Sequence, residues 1–216
     1  MHKELAIIGS PVYGGRLPID MISRLQRFKG NDTPAVIVVV YGNRAYEDAL
    51  LELRDLTLKL GFHPIAAGAF IGEHSFSNNE TPIAVGRPDA EDLSKAKEFG
   101  KKIHEKVEKM RTLDKISLLR VPGNFPYKQL KLLSNITPVT QQTGCTQCGE
   151  CKEVCPAAAI TVGETVVTDQ SLCIKCCACV KTCTTGARVM ADQRMREIAE
   201  KLSTSCRERK EPETYL

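Results

Sequence analysis

No stretch of this 216-residue chain is apolar over the roughly 18 residues that a membrane span needs. No run of lysine and arginine is dense enough to call for nucleic acid. The balance is mild, 30 basic against 26 acidic residues for a net charge of +4, and it is spread through the chain. The apolar segment LAIIG near Met1 is too short for the core of a secretory leader. These absences set expectations of no membrane span, no nucleic-acid partner and a reducing, cytoplasmic setting. In such a setting thiols are not kept for disulfides.

Thiols are what the chain has in quantity: ten cysteines, eight of them in a duplicated pattern. CTQCGECKEVC runs from Cys145 to Cys155, and CIKCCACVKTC runs from Cys173 to Cys183. Both carry C-x2-C-x2-C-x3-C. Cys173, Cys176, Cys179 and Cys183 each stand 28 residues after Cys145, Cys148, Cys151 and Cys155. In that register Cys177 falls on Gly149, so Cys177 is surplus, as is the distant Cys206. Structural zinc sites use four ligands, usually in paired C-x2–4-C knuckles, which this array does not match. Three thiolates at x2 spacing suit an iron–sulfur cubane, and in two-cluster ferredoxins the fourth cysteine ligates the other cluster. The expected ligands are therefore Cys145, Cys148, Cys151 and Cys183 for cluster 1. Cluster 2 takes Cys155, Cys173, Cys176 and Cys179.

Residues 141–190 resemble a bacterial-type ferredoxin with two [4Fe–4S] clusters. Pro156 follows the fourth cysteine of the first motif, as in that family, whereas Thr184 stands where the second motif would carry proline. Between the motifs, ITVGETVVT reads as a hairpin turning at Gly163-Glu164. Ala157, Ala158 and Ala159 are small enough for a short helix to sit close to the clusters.

The first half alternates short apolar runs with amphipathic segments, the pattern of an α/β domain. ELAIIGS, AVIVVVYG and FHPIAAGAFIG are expected strands of a three-stranded parallel sheet. LPIDMISRLQRF, AYEDALLELRDLTLKLG and DAEDLSKAKEFGKKIHEKVEKM are the helices between and after them. In such sheets ligands bind outside the carboxyl ends of the strands, where GSPVYGGRLP and YGNRAYED lie. On those two loops the segment looks like part of a flavodoxin-like domain, and the whole chain resembles the flavodoxin–ferredoxin fusions. The resemblance implies FMN as a further cofactor, faced by Ser10, Pro11, Tyr13, Gly14, Tyr41, Gly42, Asn43 and Arg44. Read without it, the same residues make ordinary strand-to-helix turns around core aromatics, and both readings stay open.

The family's opening strand, phosphate loop and helix have no counterpart ahead of Met1. ELAIIGS is therefore expected to leave an exposed strand edge, open to a partner chain that supplies the missing half-sheet. The chain alone is expected to hold little FMN. The expected division is 1–111, a partial flavodoxin-like domain; 112–140, a connector anchored by Leu118, Val121, Phe125 and Leu130; 141–190, the ferredoxin domain; and 191–216, a helix with a charged, mobile tail. Function is expected to be electron transfer with redox partner proteins, the oxygen sensitivity of such clusters pointing to an anaerobe. The alternatives are an FMN-dependent reductase of quinone- or nitro-type acceptors, and an iron–sulfur subunit that docks on another chain.

Overall fold

The computed structural model describes residues 4–110, 117–130 and 135–216. In chain order its elements are β1 (Ala6–Pro11), α1 (Ile19–Leu25), β2 (Thr33–Tyr41), α2 (Ala49–Lys59), β3 (Phe62–Ile71) and α3 (Ala90–Lys109). Then come β4 (Val139–Thr140), α4 (Glu150–Glu153), β5 (Ile160–Val162), β6 (Val166–Thr168), α5 (Ala178–Lys181), β7 (Arg188–Val189), α6 (Gln193–Ser205) and β8 (Glu213–Tyr215). The chain divides into two units. The first comprises residues 1–74, 84–130 and 206–216, and the second 75–83 and 131–205. Among the described residues no helix is long and apolar enough to cross a membrane.

In the first unit β1, β2 and β3 pair in parallel, and β8 adds to β3 antiparallel, giving the order β1-β2-β3-β8. The β-branched run of β2 lies in the middle and is buried on both faces. Its alternate side chains serve two layers. Ile37, Val39 and Tyr41 pack with Leu17, Leu50 and Leu53 of the α1–α2 side, while Val36 packs with Phe99 and Ile103 of α3. Each fully buried leucine there contributes about 1.5–3 kcal/mol by transfer from water. α3 starts at a capping box. The Asp89 side chain accepts from the Glu91 and Asp92 amides, and Asp92 accepts from the Asp89 amide at 2.9 Å. Arg87 clamps the same buried Asp92 carboxylate through Nε and Nη2.

The sheet is thus four-stranded rather than three-stranded, and the tail is structured. β8 supplies backbone partners to Ala67, Gly68 and Ala69. Its Tyr215 hydroxyl lies 3.0 Å from that of Tyr46, and both donate to Glu213 Oε2. Cys206, surplus to the duplicated pattern, is buried. β1 is the outer strand, and Ile7 is 75% exposed on it, the exposed apolar edge that the sequence leads one to expect.

The segment read as a connector, 112–140, falls partly on residues 112–116 and 131–134, outside the described residues. Of the remainder, residues 117–130 lie on the first unit and 135–140 on the second, and in the first stretch only part of the expected anchoring is seen. Leu118 and Phe125 are exposed, while Leu119 and Val121 pack on the main core. Asp48 holds the backbone, accepting from the amides of Asn124 at 2.8 Å and Lys128 at 2.7 Å. Residues 75–83, part of the long loop after β3, belong to the second unit, where Lys181 Nζ donates to the Ser77 carbonyl at 2.6 Å.

Candidate functional site

The second unit repeats its own architecture at the 28-residue offset of its cysteines. Gln147 and Gly149 have φ of 56° and 87°, and their counterparts Lys175 and Cys177 have 60° and 58°. Ala158 and Gly186 match in the same way, at 51° and 68°. α4 and α5 are counterparts that carry Cys151 and Cys179 inward, both buried. β5 pairs with β6 and β4 with β7, so each hairpin-like pair is the other's image. Left-handed residues of this kind are the ones that build nests of successive N–H groups, which favour anionic groups.

The thiols gather accordingly. Cys151 and Cys179 share an apolar cluster with Ile160 and Val166, and Cys145 and Cys155 pack against it. A small cavity is lined by Cys155 together with Cys173, Cys176, Cys177 and Cys179, a set drawn from both motifs. Burial raises the Cys173 and Cys176 thiols above the ordinary value, and the neighbouring thiols, Cys155 among them, push the same way. Burial also raises Cys151. Cys183 goes the other way: burial opposes, but donors from Thr185 and the backbone of Arg188 and Ala187 lower it. All ten cysteines are free thiols. Among the described residues no three His, Cys, Asp or Glu side chains converge on the position of a single ion. A cluster takes one thiolate at each iron and needs no such point of convergence.

Two local expectations change here. The hairpin turns at Gly163-Glu164 as expected, but Ala157–Ala159 is a turn rather than a helix. The positive φ of Ala158 lets the Ala159 amide donate to Cys155 Sγ at 3.2 Å, which a helix would not allow. Cys177 occupies the left-handed position of Gly149 and is buried. It is the one residue lining both the cysteine cavity and a cleft of about 780 Å³ that also includes Phe76, Lys181 and Met195.

The residues read as flavin-facing make the following contacts within the first unit. Tyr41 is a core side chain, edge-on to Tyr46 at 5.4 Å, and burial pushes its phenol up to about 12. Asn43 is buried and gives both amide hydrogens to the tail carbonyls of Cys206 and Glu208 at 2.8 Å, while accepting from the Lys210 amide. Arg44 pairs with Glu47 at 2.8 Å. Ser10 is buried and donates to the Pro11 carbonyl. Tyr13 and Arg16 close a two-residue turn over Gly14 and Gly15, both at positive φ. The close approach at Gly15 is by the Glu47 carboxylate, which leaves no room for a Cβ, and at Gly42 by the His74 ring. Pro11 and Gly14 are exposed.

Arg188 is a site residue that sequence reading passed over. It is buried, donates Nη2 to Cys179 Sγ at 3.5 Å, and stands at the repeat position of Ile160. The 28-residue offset was the signal that would have singled it out.

Residues 137–184 match the family model of the 4Fe-4S dicluster domain. No curated protein matches the chain. The matched segment is a ferredoxin-like iron–sulfur domain, and the role it supports is electron transfer.

Proposed function

We propose that this protein is an electron carrier with two [4Fe–4S] clusters, one held by Cys145, Cys148, Cys151 and Cys183, the other by Cys155, Cys173, Cys176 and Cys179. The observation that carries the reading is the cavity in which Cys155, from the first motif, stands with Cys173, Cys176 and Cys179 of the second and with the surplus Cys177. All-sulfur donors with apolar packing around them fit this group and fit a hard cation poorly. Bound there, the clusters supply one-electron oxidation and reduction. The chain's own part is to keep water from Cys151 and Cys179, both buried, and to present N–H donors to sulfur, as Ala159 does to Cys155. Such donors favour the more negative, reduced state and so raise the potential. A redox partner approaching through the cleft lined by Cys177 and Lys181 meets Cys177 ahead of the ligands of the second set.

A flavin relay is the second reading, in which FMN would couple two-electron chemistry to the clusters, or a further chain would complete the site. Its support is the parallel β1-β2-β3 arrangement, with loops at the carboxyl ends of the first two strands. Against it stand the Asn43 and Arg44 side chains, already engaged within the unit. Two titrations test the proposal. Anaerobic reductive titration should take up about two electrons per chain, one for each cluster. Uptake of about one would remove the second cluster from the account. Titration with FMN should leave flavin fluorescence unquenched, whereas stoichiometric quenching by this chain alone would move the flavin reading ahead.

A further inference from the structure

The internal repeat of the second unit makes one substitution conspicuous. Ile160 of β5 is buried in the apolar cluster beside Cys151. Its counterpart in β7 is Arg188, only 3% exposed. Putting a guanidinium where the symmetry calls for a hydrocarbon carries a desolvation penalty of several kcal/mol unless an opposite charge compensates. Among the described residues no carboxylate forms an ion pair with Arg188. Its partners are neutral: Nη1 donates to Thr140 Oγ1 at 2.7 Å and Nη2 to Thr168 Oγ1 at 2.8 Å. These two threonines are themselves repeat counterparts. Nε is buried with no partner at all. The remaining contact is Nη2 to Cys179 Sγ at 3.5 Å.

A purely architectural role, tying β4 to β6 through the threonines, would be met by a neutral amide without the penalty. The charge needs a different reason, and sulfur is the one acidic group it touches. We infer that Arg188 is the built-in counter-charge of the cluster held by Cys155, Cys173, Cys176 and Cys179, raising its reduction potential above that of the other cluster. This rests on the two-cluster reading. A buried cation donating to a ligand sulfur stabilises the state with the extra electron more than the oxidised state. The hydrogen bond is one-sided, because the equivalent contact to Cys151 would come from Ile160, which has no donor. Cys151 shares the buried cluster of Cys179, so part of the field of the charge reaches it as well. The two potentials therefore move together in part, with the larger effect on the Cys179 side. The consequence is an ordered pair, in which the first electron rests on the cluster of Cys179.

The experiment compares the full reconstituted chain with Arg188→Met and Arg188→Lys, counting iron first and then following the two reduction steps by EPR-monitored potentiometry. The wild type should show two separated midpoints. In Arg188→Met, with iron unchanged, the higher midpoint should fall by at least tenfold in its equilibrium constant, about 59 mV for one electron. The lower midpoint should move by less than half as much, and Arg188→Lys should recover most of the separation. Unchanged midpoints in a fully loaded Arg188→Met protein would overturn the inference while leaving the two clusters standing. A lysine variant indistinguishable from the methionine one would do the same, since charge would then be irrelevant. Absence of iron from the wild type would instead remove the reading beneath it. If Arg188→Met fails to load, wild-type protein with ¹⁵N-labelled guanidino groups decides the matter. Pulsed EPR of its first reduced state should show a ¹⁵N coupling, and its absence would overturn the inference.

Discussion

Cys155→Ser should cost this protein one entire cluster, about four of about eight irons, although Cys155 sits in the first cysteine run. The reason is the chain path around α4. Cys145 and Cys148 lie on the loop before α4 and Cys151 on α4 itself, but the chain leaves α4 at Val154 and delivers Cys155 to the cavity of Cys173, Cys176 and Cys179. The Ala159 amide steadies that sulfur at 3.2 Å. Serine keeps the shape and removes the soft donor, so the loss should be of metal rather than of fold. Iron analysis and EPR of the variant check it, with the surviving signal belonging to the set that contains Cys183. Cys177→Ala is the control, and its iron content should equal the wild type's. Position 177 is a left-handed one that its counterpart fills with glycine, so Cys177→Gly should load equally and relieve about 1 kcal/mol of backbone strain. Iron loss in either Cys177 variant would mean that the register of the second motif is wrong.

Asp92→Asn should destabilise the first unit by about 3 kcal/mol, the usual consequence of breaking a buried ion pair from one side. Asp92 is 1% exposed, accepts from Nε and Nη2 of Arg87 and closes the capping box of α3 through the Asp89 amide. An asparagine keeps one acceptor and leaves the Arg87 charge buried without its partner. The pH dependence has a definite sign. Hydrogen bonding from Arg87 outweighs burial and holds the Asp92 carboxyl below its ordinary value of 3.8. A depressed folded-state value means the stabilisation is fully present above that ordinary value and fades as pH falls through the folded one. Denaturant midpoints should therefore separate wild type from Asp92→Asn above about pH 5 and converge in stronger acid. Equal midpoints at pH 7 would show that the pair contributes nothing net.

What could be read from sequence was what repeats locally. The cysteine register, the buried β2 run, the strand–helix alternation and the turn at Gly163-Glu164 all depend on neighbours a few residues apart. What could not be read depends on distant partners. Glu213–Tyr215 is too short to show a strand period. It becomes a strand because β3 has open backbone groups and Tyr46 and Asn43 hold the returning chain. Tyr41 and Asn43 look like ligand groups on a loop after a strand. In the fold they are taken up by Tyr46 and by the tail. Leu119 rather than Leu118 anchors the segment after α3, since only its side of an irregular chain meets the core. Arg188 carries no motif, and its meaning emerges only from its alignment with Ile160.

The central claim is that eight of the ten cysteines hold two iron–sulfur clusters. Anaerobic reconstitution followed by iron and acid-labile sulfide analysis tests it directly. The account predicts about eight iron and about eight sulfide per chain, with broad visible absorbance that bleaches on reduction. Zinc at one or two per chain with no acid-labile sulfide would contradict it.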